Sequence, residues 1–207
     1  MNGPNRCRAE TRRNRCQPFL TIIMLAIVAG GGFIQQATAR QASRAKPAAT
    51  DITPRGQRAA NDIKYGDWRK FCFKPAGAKT LCRTTMSGTF ETGQTAVRID
   101  LIEREGERVA RLQLFVPVGM YVEVPVKLKV DEGKSYSVPY VWCLNNACIA
   151  AEVADPKFIK EMEAGKSLAL EVVDSQLLSV TTSLPLAQFA SVHKGAPVQT
   201  FEQDIDE

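Results

Sequence analysis

Four of the six cysteines of this 207-residue chain form two pairs that are candidates for a redox site, a metal site or structural disulfides. Cys72 and Cys82 lie ten positions apart, and Cys143 and Cys148 bracket the segment CLNNAC. A dithiol that exchanges with substrate disulfides normally has the spacing C-x-x-C at the start of a helix. A zinc site would need similarly short spacings or several histidines, and the chain has one histidine, His193. The longer spacings favour structural disulfides, with thiol–disulfide exchange as the alternative.

Local geometry favours one of the three ways to pair these cysteines. The two asparagines of CLNNAC tolerate positive φ, which predicts a two-residue type I′ hairpin turn. Cys143 and Cys148 would then form a cross-strand pair with Cα atoms about 4.5 Å apart, near the short end of disulfide geometry. The other pair encloses a Pro-Ala-Gly segment and fits a longer hairpin. We therefore predict the bridges Cys72–Cys82 and Cys143–Cys148, each worth about 2 to 3 kcal/mol in the loop-entropy model.

The sequence offers no convincing catalytic set. A Ser-His-Asp or Cys-His arrangement would have to use His193, for which a surface position is the simpler expectation. The pattern S-x-x-K at Ser191–Lys194 recurs at Ser43–Lys46, and the motifs that accompany it in β-lactamase-like enzymes are absent. We therefore expect no enzyme activity, no catalytic or metal-binding residues and no cofactor.

The first 39 residues have the layout of a secretory signal peptide. Five arginines precede the uncharged stretch Phe19–Ile34, and the A-x-A pattern Ala37–Ala39 follows it. The apolar stretch is short for a membrane span, so we expect cleavage rather than an N-terminal anchor, and no membrane span afterwards. Cys7 and Cys16 would leave with the leader. The leader predicts export to the periplasm, the outer surface or the medium, where disulfides persist.

Cleavage also changes the charge. The chain has 27 basic and 22 acidic residues. The leader contains five arginines and Glu10, so 22 basic and 21 acidic residues remain, a net charge of +1. The exported part therefore gives no electrostatic reason to expect nucleic acid as a partner.

Three regions follow the leader. Residues 40–61 are rich in alanine, arginine and polar residues and predict a disordered linker. Residues 62–195 predict one folded domain, and residues 196–207 predict an acidic flexible tail.

Period-two alternation of aliphatic and polar residues predicts β-strands in the domain. The clearest example is Val122–Val130, where Pro125 favours an edge position because proline cannot donate to a ladder. Similar patterns occur at residues 97–101, 112–116, 168–172 and 178–182, with turn sequences between strands. Eight or nine short strands indicate an all-β antiparallel sandwich or barrel.

Two short helices are predicted within the strands. The first would have Asp155 as N-cap, Pro156 as first residue and Gly165 as its stop. The second would cover residues 186–192, with Ser183 as its cap.

Aromatic residues cluster near the cysteines. Packing of these rings against the disulfides in the core is the simpler expectation. The alternative is a patch that binds a partner, for which Trp68, Tyr140 and Trp142 are the candidates.

Several segments resemble a known family. "YGDW" at 65–68 and "LCRTT" at 81–85 are similar to the opening signature of the invasion-associated locus B family. "WCLNNACIAAEV" at 142–153 is similar to its second cysteine pair, and "GKSLALEVV" with "VTTSLPLAQFASV" to its closing pattern. The resemblance covers residues 62–193 and implies an immunoglobulin-like β-sandwich exported by alphaproteobacteria.

The expected function follows from the leader and the resemblance together. We expect a non-enzymatic envelope protein that binds a protein or envelope partner, with a role in host-cell interaction or invasion and hence in virulence. The alternative is an envelope enzyme that uses the cysteine pairs in thiol–disulfide exchange.

Overall fold

Two β-sheets and two helices make up the structure, a computed structural model that describes residues 52–203. The predicted leader, residues 40–51 of the predicted linker and residues 204–207 lie outside the described residues. In chain order the elements are β1 Gly56–Ala59, β2 Lys64–Tyr65, β3 Arg69–Pro75, β4 Leu81–Thr89, β5 Thr95–Arg104, β6 Ala110–Val116, β7 Val126–Val130, β8 Ser135–Val138, β9 Tyr140–Cys143, β10 Cys148–Ala154, α1 Pro156–Ala164, β11 Ser167–Val173, β12 Leu178–Pro185, α2 Phe189–Lys194 and β13 Gln199–Gln203.

The sheets form the predicted sandwich. One has five strands in the order β1-β12-β11-β7-β8. The other has eight, in the order β13-β3-β4-β5-β6-β10-β9 with β2 paired to β4. Neighbouring strands are antiparallel except at two edges, where β1 runs parallel to β12 and β13 parallel to β3.

Alternating residues of the strands build the core between the sheets. In β6, Leu112 and Leu114 are buried while Arg111 is exposed and Gln113 half-buried. Because successive side chains of a strand point to opposite faces, this pattern gives the eight-stranded sheet one core-facing side and one outer side. The largest fully buried side chains are Phe158, Phe189, Met86, Ile99, Leu101, Leu114, Leu128, Met162, Leu168, Leu184, Leu186 and Val97.

Two segments expected to lack structure form edge strands instead. Gly56–Ala59, in the predicted linker, pairs with β12, and Gln199–Gln203, in the predicted tail, pairs with β3. Their side chains are almost all exposed, so composition gives no sign of them. An open sheet edge needs only backbone N–H and C=O groups from its partner, which any sequence without proline supplies.

The strand predicted at Val122–Val130 is shorter than its alternation indicates. It begins at Val126, while Val122 is exposed and Val124 donates its N–H to the Tyr121 carbonyl in a turn. The edge position inferred from Pro125 is also wrong, because β7 lies between β11 and β8. Pro125 precedes the ladder and therefore has no strand hydrogen bond to donate.

The first helix matches the expectation, and the second differs at its start. Asp155 accepts a hydrogen bond from the N–H of Lys157 and caps α1, which has Pro156 as its first residue. Helix α2 begins at Phe189 without a side-chain cap, whereas Ser183 lies within β12. No helix among residues 52–203 is long and apolar enough to cross a membrane.

Gly165 lies at the end of α1, and this position requires glycine because there is no room for a side chain. Its φ is −80°, which any residue adopts, so conformational freedom is not the reason for glycine here. A Cβ at this position would lie 2.3 Å from Cγ1 of Val130 and 3.0 Å from the carbonyl oxygen of Glu161. The close approach brings the end of α1 against β7.

We predict that Gly165→Ala destabilises the domain by about 1 to 3 kcal/mol, the usual effect of overpacking. Urea unfolding of the purified protein measures the change. Gly66→Ala is the matched control, because a Cβ at Gly66 would meet only the Ser87 carbonyl oxygen at 3.6 Å. Equal unfolding midpoints for the wild type and Gly165→Ala would contradict the steric explanation.

Candidate functional site

The four cysteines form two cross-strand disulfides with the predicted pairing. Cys72–Cys82 joins β3 to β4 with a Cα–Cα distance of 4.0 Å, and Cys143–Cys148 joins β9 to β10 at 3.9 Å. In both cases the two cysteines are directly paired in the strand register. The bridges therefore hold β3, next to one edge of the eight-stranded sheet, and β9, at the opposite edge, to their neighbouring strands.

The turn that joins β9 to β10 is not of the predicted type. Asp131 and Leu177 are the non-glycine residues of the described chain with positive φ, so neither asparagine of CLNNAC adopts it. The loop is closed by a 2.7 Å hydrogen bond from the Leu144 N–H to the Ala147 carbonyl. The register of the flanking strands, rather than left-handed asparagines, brings the two cysteines together.

The three candidate aromatic residues have different surroundings. Trp68 is buried, donates its indole N–H to the Pro185 carbonyl at 2.8 Å and packs edge-on against Phe189. It is a core residue, which overturns its role as a partner-binding aromatic. Tyr140 is half-buried against the core, and this burial raises the pKa of its hydroxyl. Trp142 is 53% exposed and is the candidate that a partner could reach.

Trp142 belongs to a row of side chains on the outer side of the eight-stranded sheet. Directly paired residues of neighbouring strands project to the same side. Trp142 pairs with Ile149, Ile149 with Phe115, and Phe115 with Arg98. The next row along the strands contains Gln113, Asp100, Thr85 and Arg69, and the row after it contains Arg111, Ile102, Arg83 and Phe71. We call this surface, with its arginines 69, 83, 98 and 111, the arginine face.

Asp100 organises the arginine face from beneath. Its side chain is almost fully buried, and a carboxylate is costly to bury unless charged and hydrogen-bonding groups surround it. Nε of Arg98 lies 3.2 Å and Nη1 of Arg83 lies 3.9 Å from the same carboxylate oxygen. Thr85 donates its hydroxyl to the other oxygen. Asp100 thus holds two guanidinium groups side by side on the sheet.

Arg98 divides two shallow depressions. Its guanidinium lies over the Phe115 ring, 3.6 Å from the centroid, in cation–π geometry. One depression, about 410 Å³, is lined by Arg69, Phe71 and Arg83 among others. The other, about 360 Å³, lies between Phe115 and the CLNNAC loop. Guanidinium groups beside aromatic rings equip the face to bind anions.

His193 and the charged groups around it form a second candidate site. The histidine is largely buried and is not the surface residue expected from the sequence. Its side chain is 12% exposed and stacks on Phe189. Nε2 lies 3.1 Å from Glu103 and Nδ1 lies 2.9 Å from Glu163. Lys194 contacts the other oxygen of Glu163 at 2.8 Å. The ring therefore links the end of β5, through Glu103, to α1.

The two carboxylates shift the protonation of the ring. The hydrogen bond to Glu103 raises the pKa of His193; burial opposes this, and the hydrogen bond to Glu163 adds to it. The same hydrogen bond lowers the pKa of Glu103. Burial raises the pKa of Glu163, but hydrogen bonds from Lys194 and His193 outweigh it, so the net shift is downward. A doubly protonated imidazolium can donate to both carboxylates at once.

Nothing in the sequence pointed to this cluster, because Glu103 and Glu163 are far from His193 along the chain. Glu103 reaches the histidine from the end of β5. Among residues 52–203 no group of three or more His, Cys, Asp and Glu side chains is placed to hold a metal ion. The cluster is an ion-pair junction between α1, α2 and β5.

We predict that His193 makes stability fall as the pH rises. Because its pKa is raised on folding, its contribution is fully present below about pH 6.5. That contribution is lost as the pH rises through the folded-state value. His193→Gln should lower the unfolding free energy by about 1.5 to 3 kcal/mol at pH 6, the range for hydrogen bonds to charged groups. It should also remove the fall in stability that the wild type shows as the pH rises above about 6.5.

Urea unfolding at a series of pH values measures both effects. Lys157→Gln, on the exposed side of α1, is the control for loss of a positive charge and should keep the wild-type profile. Parallel profiles for the wild type and His193→Gln would show that the two carboxylates do not couple to the ring.

Comparisons with known proteins identify relatives of this β-sandwich domain. The family model described as Invasion associated locus B (IalB) protein matches residues 68–197. The chain is 28% identical over 145 residues to Invasion protein B of Bartonella bacilliformis, which covers 68% of this chain and 76% of the relative. The crystal structure of invasion associated protein B from Bartonella henselae superimposes with a TM-score of 0.56. That match has 25% sequence identity and covers 63% of this chain and 90% of the other.

The fold and the two bridges thus define a disulfide-bridged β-sandwich domain, and the family model shows to which family it is related. The chain belongs to the invasion associated locus B family. Both cysteine pairs lie within the matched residues, as do Trp142 and all four arginines of the arginine face.

Proposed function

We propose that this chain is an exported, non-enzymatic protein of the cell envelope that binds a partner and contributes to contact with host cells. Three observations support export. The leader has the composition of a signal peptide, four cysteines are paired in disulfides that persist outside the cytosol, and the similar Bartonella proteins are named for invasion. In this proposal the mature protein lies in the periplasm, on the outer surface or in the medium.

The observation that carries the binding role is the exposed edge at β9. Trp142 is more than half exposed, and Val141 and Leu144 beside it are 42% and 52% exposed. β9 is also the last strand of its sheet, so one row of its backbone N–H and C=O groups has no strand partner among residues 52–203. Exposed apolar side chains next to an open edge are typical of an interaction site.

We predict that Trp142→Ala lowers recovery of a partner at least about tenfold, since exposed tryptophans in binding sites often contribute 2 kcal/mol or more. Affinity capture from envelope fractions, with the purified protein as bait, measures the recovery. Val109→Ala is the matched control, because Val109 is 56% exposed and lies beside β6, outside the β9 edge. Equal recovery with both variants would remove the β9 edge from the proposal.

The second candidate function is thiol–disulfide exchange by the cysteines that form the two disulfides. It draws on the exposure of Cys143 at one end of its bridge. Exchange needs a bridge that opens readily, whereas both bridges join directly paired strand positions. We place it second for that reason.

We predict that a maleimide does not label the native exported protein without reductant. After denaturation and reduction, mass spectrometry should show four adducts, because removal of the leader also removes Cys7 and Cys16. Six adducts would show that the leader is retained. Labelling of the native protein under mild reduction would instead favour the exchange function.

A further inference from the structure

We propose that the arginine face binds an acidic polysaccharide, a linear sugar polymer that carries sulfate or carboxylate groups. This inference rests on the proposed function, since it names the chemistry of the partner for an exported binding protein. It assigns the binding to the outer side of the eight-stranded sheet, of which Trp142 forms one end.

Charge is concentrated on this face although the exported part of the chain is almost neutral. Arginines 69, 83, 98 and 111 lie on it. Arg83 and Arg98 contact the Asp100 carboxylate, and the other two have no carboxylate partner within the described residues. Asp100 is buried and Asp67 borders one depression, so the face has four positive and two negative charges and a local net charge of +2. Attraction of a polyanion would therefore come from this face and not from the overall charge.

Two of the guanidinium groups are held in place before any ligand arrives. Arg83 and Arg98 both contact Asp100, and Arg98 is also stacked on Phe115. Their side chains still remain 43% and 34% exposed, which leaves N–H groups free to face solvent. A guanidinium fork matches the paired oxygens of a sulfate or carboxylate, and fixing it beforehand lowers the entropy lost on binding.

The extent of the face fits a polymer better than a single small anion. Arg69 lies on β3 and Arg111 on β6, three strand spacings away, which corresponds to about 14 Å. The two depressions lie on either side of Arg98 and continue toward the CLNNAC loop. A linear chain with regularly spaced acidic groups can follow such a track, whereas a bilayer surface is flat.

Aromatic rings on the same rows add a contact that sugars use. Phe71 lines the first depression, Phe115 the second, and Trp142 stands at the end of the row. The apolar faces of sugar rings pack on such side chains. Nucleic-acid bases also stack on aromatic rings, but the proposed export, which the disulfides support, favours polysaccharide.

The experiment measures binding of the purified protein to heparin, a sulfated polysaccharide, by isothermal calorimetry at several salt concentrations. Neutral dextran, single-stranded DNA and phosphatidylglycerol vesicles serve as comparison ligands. We expect binding to heparin that weakens with salt, and no binding to dextran. The double variant Arg69→Gln/Arg111→Gln should weaken heparin binding at least tenfold and reduce the slope of log affinity against log salt by about 2.

Two further variants separate the contributions. Lys157→Gln/Lys160→Gln removes the same charge from α1 and should bind heparin like the wild type. Trp142→Ala should weaken binding while leaving the salt slope unchanged, because it removes a stacking contact and no charge. Both arginines replaced in the test variant are exposed, so the fold should be retained, and unfolding midpoints check this.

Three results would overturn the inference. These are no heparin binding at low salt, equal weakening by the lysine and arginine variants, or tighter binding to DNA or vesicles than to heparin. If heparin binding fails while Trp142-dependent capture of an envelope partner succeeds, the proposed function stands and only the polysaccharide is excluded. If capture and export both fail, the proposed function itself is wrong.

Discussion

The register of the eight-stranded sheet is the constraint on which the rest of the structure depends. Ile99 pairs with Leu114 toward the core, and Arg98 pairs with Phe115 on the outer side. A slip of one residue would exchange the two faces, burying arginines and exposing the core. The Cys72–Cys82 and Cys143–Cys148 bridges join directly paired positions and so fasten this register near both edges of the sheet.

Asp100 and His193 are titratable side chains largely removed from solvent, and each contacts groups that can carry the opposite charge. Asp100 is covered by Arg83 and Arg98 on the outer side. His193 lies between Glu103 and Glu163, where helix and sheet meet. Removal of one partner from such a cluster leaves an uncompensated charge, so each cluster favours one arrangement of its elements over alternatives.

Fold and family relationship explain less about activity than the surface does. A β-sandwich supports many unrelated functions, so membership in the invasion associated locus B family does not by itself identify a partner. The features from which we infer binding lie on the outer side of the eight-stranded sheet, where exposed Trp142, Phe115 and the arginines project from paired strand positions. The opposite side of that sheet is occupied by the core.

Features that depend on residues close together along the chain could be predicted from the sequence. The spacing of CLNNAC predicted its bridge, alternation predicted β5, β6, β7, β11 and β12, and Asp155-Pro156 predicted the start of α1. These succeed because hairpin pairs and helix caps join residues a few positions apart. Even there the turn type was wrong, since cross-strand pairing can bring cysteines together without left-handed asparagines.

Contacts between residues from distant segments could be identified only from the three-dimensional fold. It buried Trp68 against Phe189, placed His193 between two glutamates, and turned exposed end segments into edge strands. It also gathered arginines from β3, β4, β5 and β6 on one face. The physical reason is the same in each case. Alternation shows that a side chain leaves the core side of its strand, but strand order and register decide which side chains from other strands lie beside it.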